Sequence, residues 1–323
     1  MLSRVADNLF WMNRYVERAE SMSRMVEVNL DTQLESPDHF LGKKFWNPAI
    51  QALSAGDFFK LEETERVEMF FLFSPQWPSS TQNCIFSARE NARMVRDQLS
   101  EEIWVELNSI YHFFQGGDAE RQYLETPRQF FKRIIRFSLV FQGLSDATVH
   151  HDEGWRFMSL GKYLERADQT SRALDALTYK NAEPSRTDLI ATLRTCSALS
   201  AYRKQFRGEL SLGNVADFLL FSQDFPRSLR FAIRRIDTYL HEISGVPSGN
   251  FSNEAERLAG SALAKVNFTN MNAMLEVGLH RSIDELQCLL IELGQRIFES
   301  YVMLPITTES MSFKAAAQAQ VQQ

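Results

Sequence analysis

The side chains that could carry chemistry in this chain occur twice, in two similar segments that combine acidic and guanidinium groups. Residues 15–24 read YVERAESMSR, and residues 163–172, 148 positions later, read YLERADQTSR. Seven of the ten positions match by identity or by exchange of one acid for the other. Guanidinium groups bind carboxylates and phosphates through paired hydrogen bonds. The repeated motif therefore predicts either internal ion pairs or recognition of an anionic ligand.

Each motif belongs to a polar stripe along one face of a helix, because residues at steps of four, three and four lie above one another. The two stripes consist of Asn13, Glu17, Glu20 and Arg24, and of Gly161, Glu165, Asp168 and Arg172. Apolar rows flank the first stripe, so we expect some of its charges to be buried. A buried charge requires a partner.

Three roles for Glu17 and Glu165 follow from this pattern. In the first, they form structural ion pairs with arginines of neighbouring helices. The arginines proposed as partners are Arg89, Arg93, Arg230 and Arg234. In the second, arginines and carboxylates line a cavity that binds an anionic or zwitterionic ligand. In the third, the two glutamates act as a general acid/base pair or as metal ligands.

A metal site is disfavoured, and no cofactor is predicted. Di-metal sites in helical bundles use Glu-x-x-His motifs, and neither ER segment supplies a histidine at that spacing. Residues 150–153 read HHDE, but consecutive side chains point in different directions, and Asp152 is a suitable helix cap. The sequence also lacks a phosphate-binding glycine loop, a nucleophile elbow and an HExxH motif. A self-sufficient enzyme is therefore disfavoured.

The elements that must position these residues are helices. Apolar residues between 2 and 30 recur at steps of three and four, with further apolar groups on both flanks, which predicts a long central helix. No segment shows the alternation of a strand. Further helices are predicted at 57–73, with Asp57 as a possible cap, and at 87–99, 101–114, 127–149, 152–180, 187–207, 214–222, 226–243 and 253–300, with a possible break near 267–270.

The recurrence predicts an all-α, multi-helix bundle built from two diverged repeats. A weaker similarity, at an offset of 141, relates the segment around Arg89 to that around Arg230. Fused copies commonly pack about a pseudo-twofold axis, because such a contact is self-complementary. The expected organisation is one domain over residues 1–304, with repeats of about 1–150 and 151–304, followed by a flexible tail over residues 305–323.

Composition narrows the classes of function. Of 323 residues, 44% are hydrophobic, and glycine (14) and proline (9) are scarce, which is typical of long helices. The net charge of −6 lacks the positive excess that nucleic-acid binding uses. The three cysteines are too far apart for a CxxC site. Charged residues near the amino terminus leave no uninterrupted apolar stretch as long as that of a signal peptide or a membrane span. We therefore expect a cytoplasmic protein without a membrane span.

The two ER segments, with residues 87–100 (SARENARMVRDQLS) and 154–172 (GWRFMSLGKYLERADQTSR), resemble the bacterial alpha-E family. That family is an all-helical domain named for an ER motif, and the resemblance extends over about residues 1–304. The motif positions that it carries onto this chain are Glu17, Arg18, Glu165 and Arg166, with Arg89, Asn91, Arg93, Arg96, Trp155 and Arg156 beside them.

Members of this family look like companions of a circularly permuted ATP-grasp protein and a transglutaminase-like protein. The resemblance implies an accessory, scaffold or substrate-binding protein of an ATP-grasp-dependent peptide or amide-bond modification system. The alternatives are an enzyme with Glu17 or Glu165 as general base and a purely structural role. The predicted ligand-binding or ion-pair network comprises Asn13, Glu17, Arg18, Arg24, Arg89, Asn91, Arg93, Arg96, Arg156, Glu165, Arg166, Arg172, Arg230 and Arg234.

Overall fold

The computed structural model describes residues 3–35, 44–59, 66–180 and 183–303. Within these ranges it contains fifteen α-helices and no strand, which confirms the all-α prediction. In chain order they are α1 (Ser3–Glu35), α2 (Asn47–Ala52), α3 (Val67–Phe73), α4 (Thr81–Met94), α5 (Glu101–Gln115), α6 (Asp118–Glu125), α7 (Pro127–Thr148), α8 (Glu153–Asp175), α9 (Arg186–Thr195), α10 (Leu199–Phe206), α11 (Leu212–Phe221), α12 (Leu229–Ser244), α13 (Glu254–Phe268), α14 (Met271–Val277) and α15 (Leu279–Tyr301).

Helix α1 is central, as its sequence predicts. It packs against α3, α4, α7, α8, α9 and α15. Its apolar residues are therefore buried on several faces, with Leu9 and Met12 on one side and Val28 and Met22 on others. Burial of so many faces explains why a single amphipathic stripe does not describe this helix.

Helices α1 and α8 carry the two ER motifs, and they touch through Gly161. A β-carbon at this position would overlap the carbonyl oxygen of Phe10. Glycine therefore permits a close approach of the two backbones. This contact brings the polar stripes of both helices into one buried region.

The two halves of the chain follow the same order of packing. Helix α1 packs against α3, α4 and α7, and α8 packs against α11, α12 and α15. Ser80 and Ser228, which are 148 positions apart, cap α4 and α12 in the same way, each two residues after a proline. The offset of the ER segments thus recurs at the caps of these helices, and the weaker similarity at an offset of 141 stays a prediction. The pseudo-twofold axis stays a prediction.

Several helix boundaries differ from those predicted. The segment 187–207 is interrupted after Thr195, where Ser197 has a left-handed backbone with φ 53°. The segment 253–300 breaks near Thr269, as predicted, and again at Gly278. Asp57 lies in a turn and caps no helix. The helix predicted over 87–99, with Thr81 or Asn83 as its possible start, begins at Thr81 and ends at Met94 as α4. The short helices α2 and α6 were missed because they are too brief for periodicity to reveal.

Asp152 begins α8 as predicted, by accepting hydrogen bonds from the backbone N–H groups of Gly154 and Trp155. The preceding His151 ring stacks on the indole of Trp155 at 3.9 Å. The tail predicted over residues 305–323 lies outside the described residues. Across the helices that are described, none combines the length and apolar character that a membrane crossing requires.

Candidate functional site

Glu165 on α8 is fully buried and bound to two arginines of α1. Arg14 Nε donates to its Oε2 at 2.8 Å, and Arg18 donates from Nε to Oε1 at 2.6 Å and from Nη2 to Oε2 at 2.9 Å. Gln169 Nε2 adds a fourth hydrogen bond at 2.9 Å. Burial raises the pKa of Glu165, but the guanidinium groups of Arg18 and Arg14 outweigh it and lower that pKa to about 2. The carboxylate is therefore ionised at neutral pH.

Glu17 on α1 is the counterpart of Glu165 and is equally buried. Arg166 Nε on α8 donates to its Oε1 at 2.8 Å, and Arg227, one residue before the cap of α12, lies 2.9 Å from the same oxygen. Arg18 and Arg166 thus each bind the glutamate of the opposite ER motif. This exchange is what a self-complementary contact between two equivalent helices produces.

The next acidic position of the first stripe, Glu20, extends the network. Arg24 and Arg227 each lie 2.7 Å from its Oε1, and Ser138 donates its hydroxyl to Oε2 at 2.6 Å. Burial raises the pKa of Glu20, but Arg227 and Arg24 outweigh it and lower that pKa to about 2. In the second stripe, Asp168 accepts a hydrogen bond of 2.8 Å from Arg172 Nε.

The charges in this region do not balance. Six arginines meet four carboxylates, which leaves two positive charges in the centre of the described structure. The arginines are Arg14, Arg18, Arg24, Arg166, Arg172 and Arg227, and the acids are Glu17, Glu20, Glu165 and Asp168. A partly buried surplus of guanidinium groups attracts anions, because screening by water is weak there.

A cleft between α1, α8 and α15 opens onto this network. Its volume is about 530 Å³. Its polar side carries three arginines, Arg14, Arg18 and Arg172, and two aspartates, Asp7 and Asp168. Its apolar side is formed by Phe10, Trp11, Phe157, Ile291 and Phe298. The arrangement can hold a molecule that has an anionic group at one end and apolar surface at the other.

Arg14 is the arginine of this cleft with the most unused hydrogen-bonding capacity. Its Nε is bound to Glu165, whereas its two Nη groups make no hydrogen bond to the described residues. The guanidinium lies 4.8 Å from the centre of the Trp11 ring, which holds it in place by a cation–π contact. Arg14 therefore presents oriented donors to whatever occupies the cleft.

The ER motifs also identify the relatives of this chain. A family model described as a predicted alpha-helical domain with a conserved ER motif matches residues 1–302. The chain belongs to the Alpha-E family. In this Alpha-E domain the two ER dipeptides are Glu17-Arg18 and Glu165-Arg166, the residues at the centre of the charged network.

Uncharacterized proteins of Mycobacterium bovis and Mycobacterium tuberculosis are 27% identical to this Alpha-E domain over 308 residues. The match covers 88% of this chain and 34% of each relative. The chain thus spans about a third of the length of these mycobacterial proteins. No solved structure matches the chain significantly.

Four arginines predicted to bind Glu17 and Glu165 lie elsewhere in the Alpha-E domain, and that prediction was wrong. Arg89 and Arg93 bind Glu90, which neighbours them on α4. Arg230 Nε donates to Asn267 Oδ1, and Arg234 Nη2 donates to the carbonyl of Gln223. The face of α4 that is buried carries instead the apolar residues Cys84, Ile85, Ala88 and Ala92.

Four other predicted residues also lie outside the charged network. Asn13 and Asn91 each donate to the carbonyl four residues earlier in their own helix. Arg96 lies over the Trp104 ring at 5.2 Å, and Arg156 Nε donates to Glu242 at 2.8 Å. The prediction for Glu17, Arg18, Arg24, Glu165, Arg166 and Arg172 as one ion-pair network agrees with the geometry.

Sequence reasoning missed Arg14 and Arg227. Arg14 could have been found, because it precedes Arg18 by one helical turn and shares its face. Arg227 stands outside the motifs and reaches Glu20 from 207 positions away, so no local pattern reveals it. In the described ranges, no group of three or more histidine, cysteine, aspartate or glutamate side chains could hold a metal ion.

Proposed function

We propose that this Alpha-E domain is a substrate-binding unit that holds an anionic, partly apolar ligand in the cleft between α1, α8 and α15. The observation that carries the proposal is the surplus of guanidinium groups beside an apolar wall, with both Nη groups of Arg14 left for a ligand. Guanidinium groups recognise carboxylates with two parallel hydrogen bonds. A carboxylate at Arg14 would place an attached apolar group against Trp11 and Phe157.

The geometry supports general-base catalysis by Glu165 less well. Its pKa is lowered to about 2, and its oxygens already accept four hydrogen bonds. A base with so low a pKa is a weak proton acceptor at neutral pH. We therefore propose that Glu165 orients Arg14 and Arg18 and takes no proton from a substrate.

We further propose that the domain works in the cytoplasm as an accessory unit of an ATP-grasp-dependent peptide or amide-bond modification system. Its partners would be a circularly permuted ATP-grasp protein and a transglutaminase-like protein. Formation of an amide bond begins with a carboxylate, which is the group that the cleft suits.

Ligand binding can be tested with a matched acid and amide. N-acetylphenylalanine carries a carboxylate beside an aromatic group, and N-acetylphenylalaninamide is its neutral analogue. We expect the acid to raise the melting temperature and to bind at least about tenfold more tightly than the amide in calorimetry, because a hydrogen bond to a charged group contributes about 1.5–3 kcal/mol. Equal binding of both compounds, or binding of neither, would overturn the proposal for this class of ligand.

Two arginine variants locate the binding. Arg14→Gln removes the two unused Nη groups that line the cleft. Arg24→Gln removes an arginine of similar exposure, 18% against 15%, that does not line the cleft. We expect Arg14→Gln to weaken binding of the acid about tenfold and Arg24→Gln to leave it unchanged. For the partners, the tagged domain is co-expressed with the ATP-grasp and transglutaminase-like proteins of the same genome. Failure of either to co-purify would count against the accessory role, independently of the ligand result.

A further inference from the structure

Asp7 lines the same cleft as Arg14 and precedes it by two turns of α1. The proposed function uses the arginine end of the cleft and gives this carboxylate no role. Asp168, the other aspartate of the cleft, accepts a hydrogen bond of 2.8 Å from Arg172. Asp7 differs, because no basic side chain of the described residues forms an ion pair with it. Within the described structure, the cleft therefore contains an unpaired carboxylate as well as unused guanidinium donors.

Trp11 contacts both of these charged groups. Asp7, Trp11 and Arg14 follow steps of four and three, so their side chains lie along one face of α1. The Trp11 side chain contributes a hydrogen bond to Asp7. The Arg14 guanidinium lies 4.8 Å from the centre of the Trp11 ring. One aromatic side chain thus helps to orient the negative and the positive group of the cleft.

The Asp7 carboxylate is suited to a positive partner. It is half-buried, and burial raises its pKa, which the hydrogen bond from Trp11 offsets only in part. Loss of hydration disfavours a charged group unless an opposite charge compensates for it. An ammonium group of a ligand provides that charge.

The spacing of Asp7 and Arg14 limits the length of the ligand. Their α-carbons are seven residues apart on one helix, which corresponds to about 10.5 Å. The Arg14 guanidinium leans towards the amino terminus, 5.7 Å from the centre of the Phe10 ring, and this shortens the distance between the two charged groups. The ammonium and carboxylate of a single amino acid share one carbon atom. A dipeptide separates its charges by one more residue, about 3.3–3.6 Å, and spans the two groups better.

We propose that the cleft binds a short peptide with a free amino terminus, its ammonium on Asp7 and its terminal carboxylate on Arg14. The inference rests on the proposed function for the carboxylate end and adds recognition of an amine. An apolar side chain of the peptide packs against Trp11 and Phe157, which line the same space. The volume of about 530 Å³ lies within the range of small-molecule sites.

Two compounds that differ by one ammonium group test this proposal on the unmodified protein. Glycyl-phenylalanine is N-acetylphenylalanine with an ammonium in place of one hydrogen of the acetyl methyl group. We expect the dipeptide to bind at least about tenfold more tightly in calorimetry, because hydrogen bonds between charged groups are the strong ones. If N-acetylphenylalanine binds more tightly than its amide but no less tightly than the dipeptide, this inference is overturned and the proposed function stands. Binding of neither acid overturns both.

Aspartate variants locate the ammonium. Asp7→Asn removes the negative charge at nearly constant size, and we expect it to weaken binding of glycyl-phenylalanine about tenfold. The same variant should bind N-acetylphenylalanine at least as tightly as the parent protein does, because a negative charge near that anion is removed. A variant that is merely destabilised would instead lose affinity for both ligands.

Asp217→Asn is the matched control. Asp217 is also a half-buried aspartate whose pKa is raised by burial, but it does not line the cleft. We expect this substitution to change neither affinity. Equal weakening of both ligands in Asp7→Asn, or unchanged binding of the dipeptide, would show that Asp7 does not bind the ammonium and would overturn the inference.

Discussion

Gly161 on α8 lies directly against the backbone of Phe10 on α1. A β-carbon at position 161 would stand 3.0 Å from the Phe10 carbonyl carbon and would overlap its oxygen. The carbonyl carbon and oxygen of Phe10 cannot move away without displacing α1, because they belong to the backbone of that helix. The separation of α1 and α8, and with it the reach of Arg18 to Glu165, therefore depends on this one glycine.

The first prediction concerns that contact. Gly161→Ala should lower the free energy of unfolding by at least about 1–3 kcal/mol, because overpacking forces the backbone to shift. Gly143→Ala is the control, since Gly143 is an exposed glycine of α7 with no atom near its absent β-carbon. This control should gain about 0.5–1 kcal/mol from higher helix propensity. Urea unfolding measures both, and equal effects of the two substitutions would contradict the close contact.

The second prediction concerns the ion pairs between the ER motifs. Glu165→Ala leaves Arg14 and Arg18 without their carboxylate and should cost about 3–5 kcal/mol of unfolding free energy, as the breaking of a buried pair does. The control is Glu254→Ala, which removes the exposed partner of Arg257 and should change nothing measurable. Denaturant unfolding of the parent protein, Glu165→Ala and Glu254→Ala measures these differences in unfolding free energy. A Glu165→Ala variant as stable as the control would show that the pairs contribute nothing.

The third prediction is a loss of stability in acid. Both Glu165 and Glu20 have folded-state pKa values lowered to about 2, from the ordinary glutamate value of 4.5, by the arginines that bind them. A lowered folded pKa contributes stability above the unfolded pKa, and that contribution disappears as the pH falls from about 4.5 towards 2. Asp7 and Asp217, whose pKa values are raised by burial, act in the opposite direction.

Comparison with Glu165→Gln isolates the contribution of Glu165 from those opposing groups. The difference in unfolding free energy between the parent protein and this variant should shrink between pH 6 and pH 3, because Glu165 itself is protonated on unfolding there. Urea titrations at both pH values provide the measurement. A difference that stays constant over this range would show that the pKa of Glu165 is not lowered in the folded state.

The fourth prediction concerns the thiols. Cys84 and Cys196 are buried, and burial raises the pKa of each to about 12, whereas Cys288 is exposed. Because the thiolate is the reactive form, Ellman's reagent at pH 8 should label one cysteine quickly in the folded protein and three after unfolding. Cys288→Ser should remove the fast phase. Rapid labelling of two or three thiols in the native protein would contradict the described core.

Local pattern was enough to find α1. Its apolar residues recur at the helical period over many turns, and the backbone hydrogen bonds of a helix are local, so its course follows from the sequence around it. The same holds for α8, which begins at its Asp152 cap as predicted. Short helices such as α2 and α6 were missed, because their few residues carry too little periodicity to stand out.

The partners of Glu17 and Glu165 required the tertiary structure. A pattern on one helix shows which face is polar, but it does not show which helix will cover that face. Arg89 seemed a suitable partner, yet α4 buries its apolar face and leaves Arg89 beside Glu90. Arg227 fills the role from a distant segment that no local motif announced.

The sequence by itself determined the helical class, the two polar stripes and the family that the ER motifs define. The tertiary structure decided which charges meet, that six arginines share four carboxylates in the network around Glu17 and Glu165, and where the cleft beside Arg14 opens. The physical reason is that helix formation depends on neighbours within one turn of the chain. Ion pairing and cavity formation depend instead on the relative positions of helices that are far apart in sequence.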